Sequence, residues 1–198
     1  MNARSACNKT HGIRDLIIEE SLDILCISES WLSDHDGPLI ADLLPSTHQY
    51  FHNPREEGKG GGVAMVVTRK ISQAKSSRLK FNTFECLQVQ FSQKGKSFIF
   101  YCIYRPPGPK PSFLMEFEEF ILESQRSSSE CIYIGDFNFW FGDSGDPDAL
   151  RLSNILSDFN LKNHINIPTH EAGHILDLVI TSHSCLILVI TSFMNDPQ

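Results

Sequence analysis

The chain has 198 residues, enough for one sizeable core and short for two, so one domain spanning residues 1–198 is expected. Hydrophobic residues at 41% with 21% charged argue against a disordered chain, and six scattered cysteines without a CxxC pair point to buried thiols in a reducing compartment. The net charge of −7 hides an asymmetry: residues 1–110 hold 14 Lys/Arg against 11 Asp/Glu, whereas residues 111–198 hold 3 against 13.

"MNARSACNKTHGIRD" lacks an apolar stretch, so no secretory signal is expected and the chain reads as intracellular. A short amphipathic helix near 13–20 leads into the strand "DILCIS", and the glycine-rich turn "GKGGG" leads into the strand "VAMVVT". That turn precedes a strand and lacks the GxxxxGK pattern, which excludes a P-loop. The run "RKISQAKSSRLK" (69–80) has five basic residues and no acid; it fits a solvated loop or edge strand better than a phosphate-tracking surface. "FECLQVQFSQKGKSFIFYCIYRPP" reads as a hairpin around "QKGK", closed by Pro106 and Pro107. "PSFLMEFEEFILES" carries apolar residues at 113, 114, 117, 120 and 121, a helical stripe. The strand "CIYI" (131–134) follows, then a helix opened by Asp146 as N-cap and Pro147 at its first position. The C-terminal "ILDLVITSHSCLILVITSF" is long enough to span a membrane, but Asp177 and "TSHS" divide it into two strands, "HILDLVIT" and "CLILVIT". Strands outnumber helices and hairpins mix with strand–helix–strand connections, which predicts an α+β protein with stacked sheets and outer helices.

Polar groups sit where apolar strands end: Glu29 and Ser30, Tyr104 and Arg105, Asp136 and Asn138. Each alone reads most simply as a turn or cap residue. Asp136 and Asn138 are two apart, so an extended chain turns both to one side. Asp177 interrupts an apolar strand, a costly place for a carboxylate unless it is paired, hydrogen-bonded or metal-bound. Carboxylates ending neighbouring strands can gather one hard divalent cation such as Mg²⁺. "HEAGH" (170–174) matches the zinc-protease pattern HExxH, but Pro168, Gly173 and the strand that follows exclude the helix this motif needs.

"DILCISESWL", "GGGVAMVV", "YRPPG", "IGDFN" and "PTHEAGHILDLVIT", in that order, resemble the endonuclease/exonuclease/phosphatase superfamily. More narrowly, they look like the endonuclease domain of LINE-type (non-LTR) retrotransposons, which precedes reverse transcriptase. The resemblance covers nearly the whole chain. It implies a four-layered α/β sandwich, DNase I-like, with two packed, mainly antiparallel sheets flanked by helices. It implies Mg²⁺- or Mn²⁺-dependent nicking of DNA, with DNA as partner and no membrane. By motif position, Glu29 binds the metal and Asn2 helps to organise it. Asp136 orients and deprotonates the attacking water, while Asn138 positions that water or holds the phosphate. Tyr104 donates to the phosphate, Arg105 and Thr169 bind substrate, and Asp177 orients a catalytic histidine.

Two departures from the family pattern accompany this. The family's first strand would precede Asn2, leaving nothing to hold that residue at the metal, and no terminal "SDH" follows "LILVITSFMNDPQ". The expectation is therefore a domain lacking its terminal strands, with impaired nicking. The alternatives are a catalytically inactive retroelement remnant, or a phosphatase or phosphodiesterase of the same superfamily.

Overall fold

The structure is a computed structural model and describes residues 1–185. The N-terminal half supplies α1 (Thr10–Glu19), β1 (Ile24–Ser28), α2 (Gly37–Leu43), β2 (His48–Asn53), β3 (Val63–Thr68), β4 (Lys75–Lys80), β5 (Glu85–Gln93) and β6 (Lys96–Tyr104). The remainder supplies α3 (Lys110–Ser124), β7 (Glu130–Asp136), α4 (Pro147–Asp158), β8 (Leu161–Asn163) and β9 (Asp177–Ser182). A three-stranded sheet runs in the order β1-β3-β2, and a six-stranded sheet in the order β4-β5-β6-β7-β9-β8. Every pairing is antiparallel except β6 with β7, which α3 connects as a crossover.

The layering follows from which residues alternate to which face. In β3, all six residues are buried, because the small sheet is covered on both sides. Ala64 and Val66 pack with Ile13 and Ile17 of α1, and Leu43 of α2 closes the same cluster. Val63, Met65 and Val67 pack on Leu87, Val89 and Cys102 of the large sheet. The outer face of the large sheet, with Tyr101, Ile103 and Tyr133, receives Phe113, Phe117 and Ile121 of α3 and Leu152 and Ile155 of α4. Four layers result: helices, small sheet, large sheet, helices. Phe117 contacts several rings at this outer interface, and its truncation to Ala is expected to cost about 3–5 kcal/mol.

Local chemistry fixes the elements that the sequence marks most clearly. Asp146 caps α4, its carboxylate accepting from the N–H groups of Asp148 (2.9 Å) and Ala149 (3.4 Å), with Pro147 opening the helix. The basic run becomes β4, an edge strand whose exposed lysines discourage further pairing. α1 begins three residues earlier than its apolar pattern predicts, and α2, β2 and β8 carry no strong signal. β2, "HQYFHN", lacks an apolar alternation: His48 is buried, the other five residues are half-buried, and Tyr50 and Phe51 pack against different clusters. The expected strand "CLILVIT" lies, beyond Cys185, outside the described residues.

Candidate active site

Parallel pairing of β6 and β7 brings the ends of both strands to the same edge, and antiparallel β9 begins there. Tyr104 is the register partner of Asp136, and Asp136 of Asp177, so the three form one row across the large sheet. Asp177 thus opens β9 and does not interrupt it. Glu29, one residue past β1, arrives from the small sheet. The side-chain amide of Asn2 donates to Glu29 Oε1 at 2.7 Å and to Asp136 Oδ2 at 2.8 Å, joining acids from the two sheets.

Asn2 is held firmly, which corrects the expectation that nothing would fix it. Residues 1–6 run beside the end of β1: Ser28 N donates to Met1 O, Ala3 N to Ser28 O, Ser5 N to Glu29 O and Ala6 N to Ser30 O, each at 2.9 Å. The strip pairs with whatever main chain lies beside it, so few side chains advertise it. Glu29 has φ 53°, a left-handed conformation that is strained for a residue other than glycine and that concentrates at functional sites.

The end of β7 is built from side chains, and the two-residue alternation expected of an extended chain does not hold there. Asn138 has φ 52°, so the chain is no longer extended beyond Asp136. The two side chains meet because Asp136 Oδ1 accepts the Asn138 N–H at 2.9 Å, an Asx turn. Gly135 is required just before it, since a Cβ there would lie 1.8 Å from Ile103 O. Arg105 is not brought to the cleft as a substrate contact. It is buried, donating to the carbonyls of Phe137 (2.6 Å), Asn138 (2.8 Å) and Gly108 (3.2 Å), and it props the loop from behind. Asn138 Nδ2 donates to Arg105 O at 2.7 Å, leaving its carbonyl oxygen and second amide hydrogen uncommitted.

Tyr104 is also buried, with the charge of Glu29 close enough to act on its phenol. Burial, then the charges of Glu29 and Asp136, push its phenol above the ordinary range. Thr169 Oγ1 accepts the N–H groups of Leu176 (2.9 Å) and Asp177 (3.0 Å), making it a support for the start of β9.

A cleft of about 340 Å³ opens over the row, lined by Asn2, Glu29, Asp136, Asn138, Thr169 and Asp177. Its rim adds Arg4, Lys9 and His170, which the sequence reading missed as site residues. Their only signal is proximity in sequence to Asn2 and Thr169. Burial, then the facing charge of Asp177, push the Asp136 carboxyl up to about 7, against the pull of its hydrogen bonds from Asn2 and Asn138. Burial raises Asp177 as well, and its Oδ1 is buried without a hydrogen-bond partner. The cleft therefore has oxygen acceptors to spare.

Among the described residues, no three His, Cys, Asp or Glu form a cage that could hold a metal by protein ligands alone. The acceptors present fit a hard cation that keeps most of its waters, Mg²⁺ or Mn²⁺, and not a tetrahedral zinc. "HEAGH" is a turn: Gly173 N donates to His170 O, while Thr169 N and His170 N both donate to His174 O. His170 Nδ1 accepts from Ala172 N and His174 stacks on Trp140, so the two histidines do not share a helical face. Arg78, from the basic run, pairs with Asp34 on the exposed surface at 2.6 Å.

The Endonuclease/Exonuclease/phosphatase family matches residues 1–195. This chain belongs to that family. Solved structures agree on its fold. An AP endonuclease, LMAP, from Leishmania major superposes with TM-score 0.71 at 12% identity, covering 92% of this chain and 77% of its own. The endonuclease domain of TRAS1, a telomere-specific non-LTR retrotransposon, gives 0.62 at 13%, covering 92% and 83%. A 3′ phosphatase, NExo, from Neisseria, bound to product DNA hairpin, gives 0.66 at 15%, covering 92% and 84%. No curated protein sequence matches. Members of this family are hydrolytic nucleases and phosphatases, and the two-sheet sandwich flanked by helices is the expected DNase I-like arrangement. Among the described residues no helix is long and apolar enough to cross a membrane.

Proposed function

We propose that this chain is a divalent-metal-dependent DNA endonuclease domain of the non-LTR retrotransposon type, which hydrolyses a phosphodiester bond and leaves a nick. The main support is the convergence of three acids: Glu29 and Asp136 share the side-chain amide of Asn2, and Asp177 is the register partner of Asp136. Glu29, steadied by Asn2, would hold Mg²⁺ or Mn²⁺. Such an ion, when bound, supplies charge neutralisation at the reacting phosphate.

The chain's own groups do the rest. Asp136, held near neutrality in its pKa, is suited to take the proton of an attacking water at working pH. Asn138 orients that water through its uncommitted carbonyl oxygen or donates its free amide hydrogen to a phosphate oxygen. Arg105 keeps the loop from shifting as charge develops. Asp177, fixed by Thr169, raises the proton affinity of Asp136 across the strand pair. Arg4, exposed on the rim, offers positive charge to the flanking backbone. The retroelement branch is favoured by "YRPPG" and "PTHEAGHILDLVIT" and by the likeness to the TRAS1 domain.

The experiment is nicking of supercoiled plasmid with Mg²⁺, with EDTA, and with Asp136→Ala. Weak nicking by the wild type in Mg²⁺, lost in EDTA and in Asp136→Ala, is expected. Release of phosphate from DNA 3′ ends or from inositol phosphates, without nicking, would replace this reading with the phosphatase alternative. A Mg²⁺-dependent rise in Tm without turnover would leave a non-enzymatic remnant.

A further inference from the structure

Beside the cleft lies an aromatic surface that the hydrolytic reading does not use. Trp140 and His174 stack with ring centroids 4.2 Å apart and planes only 3° from parallel. Trp140 nevertheless remains 47% exposed, an unfavourable position for an indole that makes no other use of it. The stack is rigid. Phe139, next to Trp140, is fully buried, and Phe141 N donates to Ile175 O at 3.1 Å, tying the two loops together. The carbonyl of His174 is held by Thr169 N and His170 N, and that of Trp140 by Asp143 N at 3.0 Å.

Both rings belong to loops that deliver site residues. Trp140 is two positions after Asn138, and His174 three before Asp177, so the stack sits on the same end of the sandwich as the cleft. Its charge surroundings restrict what it can hold. Lys110, whose ammonium lies 5.9 Å from the Trp140 ring centroid, is already paired with Asp146. The adjoining chain carries Asp143, Asp148 and Glu171. A phosphate is poorly served there, whereas a flat uncharged ring is well served.

Resting on the nuclease reading above, we infer that the Trp140–His174 stack is a shelf for one nucleobase, displaced from its neighbours next to the scissile phosphate. A nucleobase presents a π-face whatever its identity, so the shelf selects unstacked DNA and not sequence. Rigid duplex offers no such face, while a mismatch, bulge or single strand does. The shelf would make flexible DNA the preferred substrate of the cleft.

The test measures binding of labelled oligonucleotides by the full chain in EDTA, so that no cutting occurs. The probes are a perfect duplex, the same duplex with a one-base bulge carrying 2-aminopurine, and a bulge at which the base is missing. Wild type should bind the base-containing bulge most tightly, with quenching of 2-aminopurine emission by the stacked indole. Trp140→Ala should weaken that binding about tenfold, the size of one lost base–aromatic stack, and leave the baseless bulge unchanged. Trp140→Phe should restore most of the loss. Equal affinity of wild type and Trp140→Ala for every probe, while plasmid is still nicked, would overturn the shelf and spare the nuclease. A loss of equal size on the baseless bulge would overturn it too, marking Trp140 as a general support of the loop. If wild type binds no probe and nicks no plasmid, the nuclease reading and the shelf fall together. Trp140-dependent self-association without DNA binding would instead assign the surface to a second copy of this chain.

Discussion

The two strand ends that bring acids to the cleft are built by different means. Past β1, Glu29 is presented by main-chain bonds: Ser5 N to Glu29 O (2.9 Å), Ser30 N to Gly62 O (3.0 Å) and Trp31 N to Gly61 O (3.0 Å). Past β7, Asp136 and Asn138 are presented by side chains, with Arg105 gripping the carbonyls of Phe137 and Asn138. Main-chain stitching is indifferent to most residue identities, whereas a side-chain clamp depends on one residue. The β1 end should therefore tolerate substitution except at Asn2, Glu29 and the positive-φ glycines Gly61 and Gly62, and the β7 end should fail through Arg105.

The largest effect should come from the reactive group of the β7 end. Asp136→Ala is expected to lower plasmid nicking by about 10³-fold with the fold retained by circular dichroism. Wild-type nicking by that variant would move the chemistry elsewhere. Next comes the clamp. Arg105→Ala strands buried carbonyls and should cost about 3 kcal/mol in urea unfolding, whereas Ser5→Ala keeps its main-chain donor and should stay within about 0.5 kcal/mol. Equal losses would erase the distinction between the two ends.

Asn2→Ala cuts the one side-chain link joining Glu29 to Asp136 and should reduce nicking about tenfold, with little change in urea midpoint, because the 1–6 strip is held by its backbone. The smallest effect is in pH. The Asp136 carboxyl, at about 7 when folded against about 3.9 when unfolded, binds its proton more tightly in the native state. Its stabilising contribution is full below the unfolded value and is lost as pH rises through 7, at no more than about 1.4 kcal/mol per pH unit. In EDTA, Tm measured between pH 5 and 8 should fall more steeply for wild type than for Asp136→Asn. Parallel curves would show that the buried acid does not titrate in this range.

The large sheet was legible because its strands and α3 and α4 repeat apolar residues at the spacing of their geometry, and because Asp146–Pro147 marks a helix start in plain chemistry. Glu29 and Asp136 were legible as acids at strand ends, and Asp177 as an acid inside a strand that it in fact opens. Their supports were not. Arg105 and Tyr104 are substrate contacts by motif resemblance and turn or cap residues by position, whereas their inward orientation depends on the opposite loop. The left-handed Asn138 turn and the β1 strip arise from main-chain bonds to partners far along the chain, which no local pattern encodes. β2 was hidden for a related reason: its burial comes from the second sheet, not from its own alternation.

The hydrogen bond from Asn2 to Asp136 spans 134 positions, and its meaning extends to how the molecule is made. The residue that unites the acids is synthesised almost at once, and its partners come much later, with Asp177 later still. Contacts of such long sequence separation are slow to form and complete folding late. On the proposed reading, a growing or half-folded chain holds its acids scattered, and the cleft can act only once both sheets have closed.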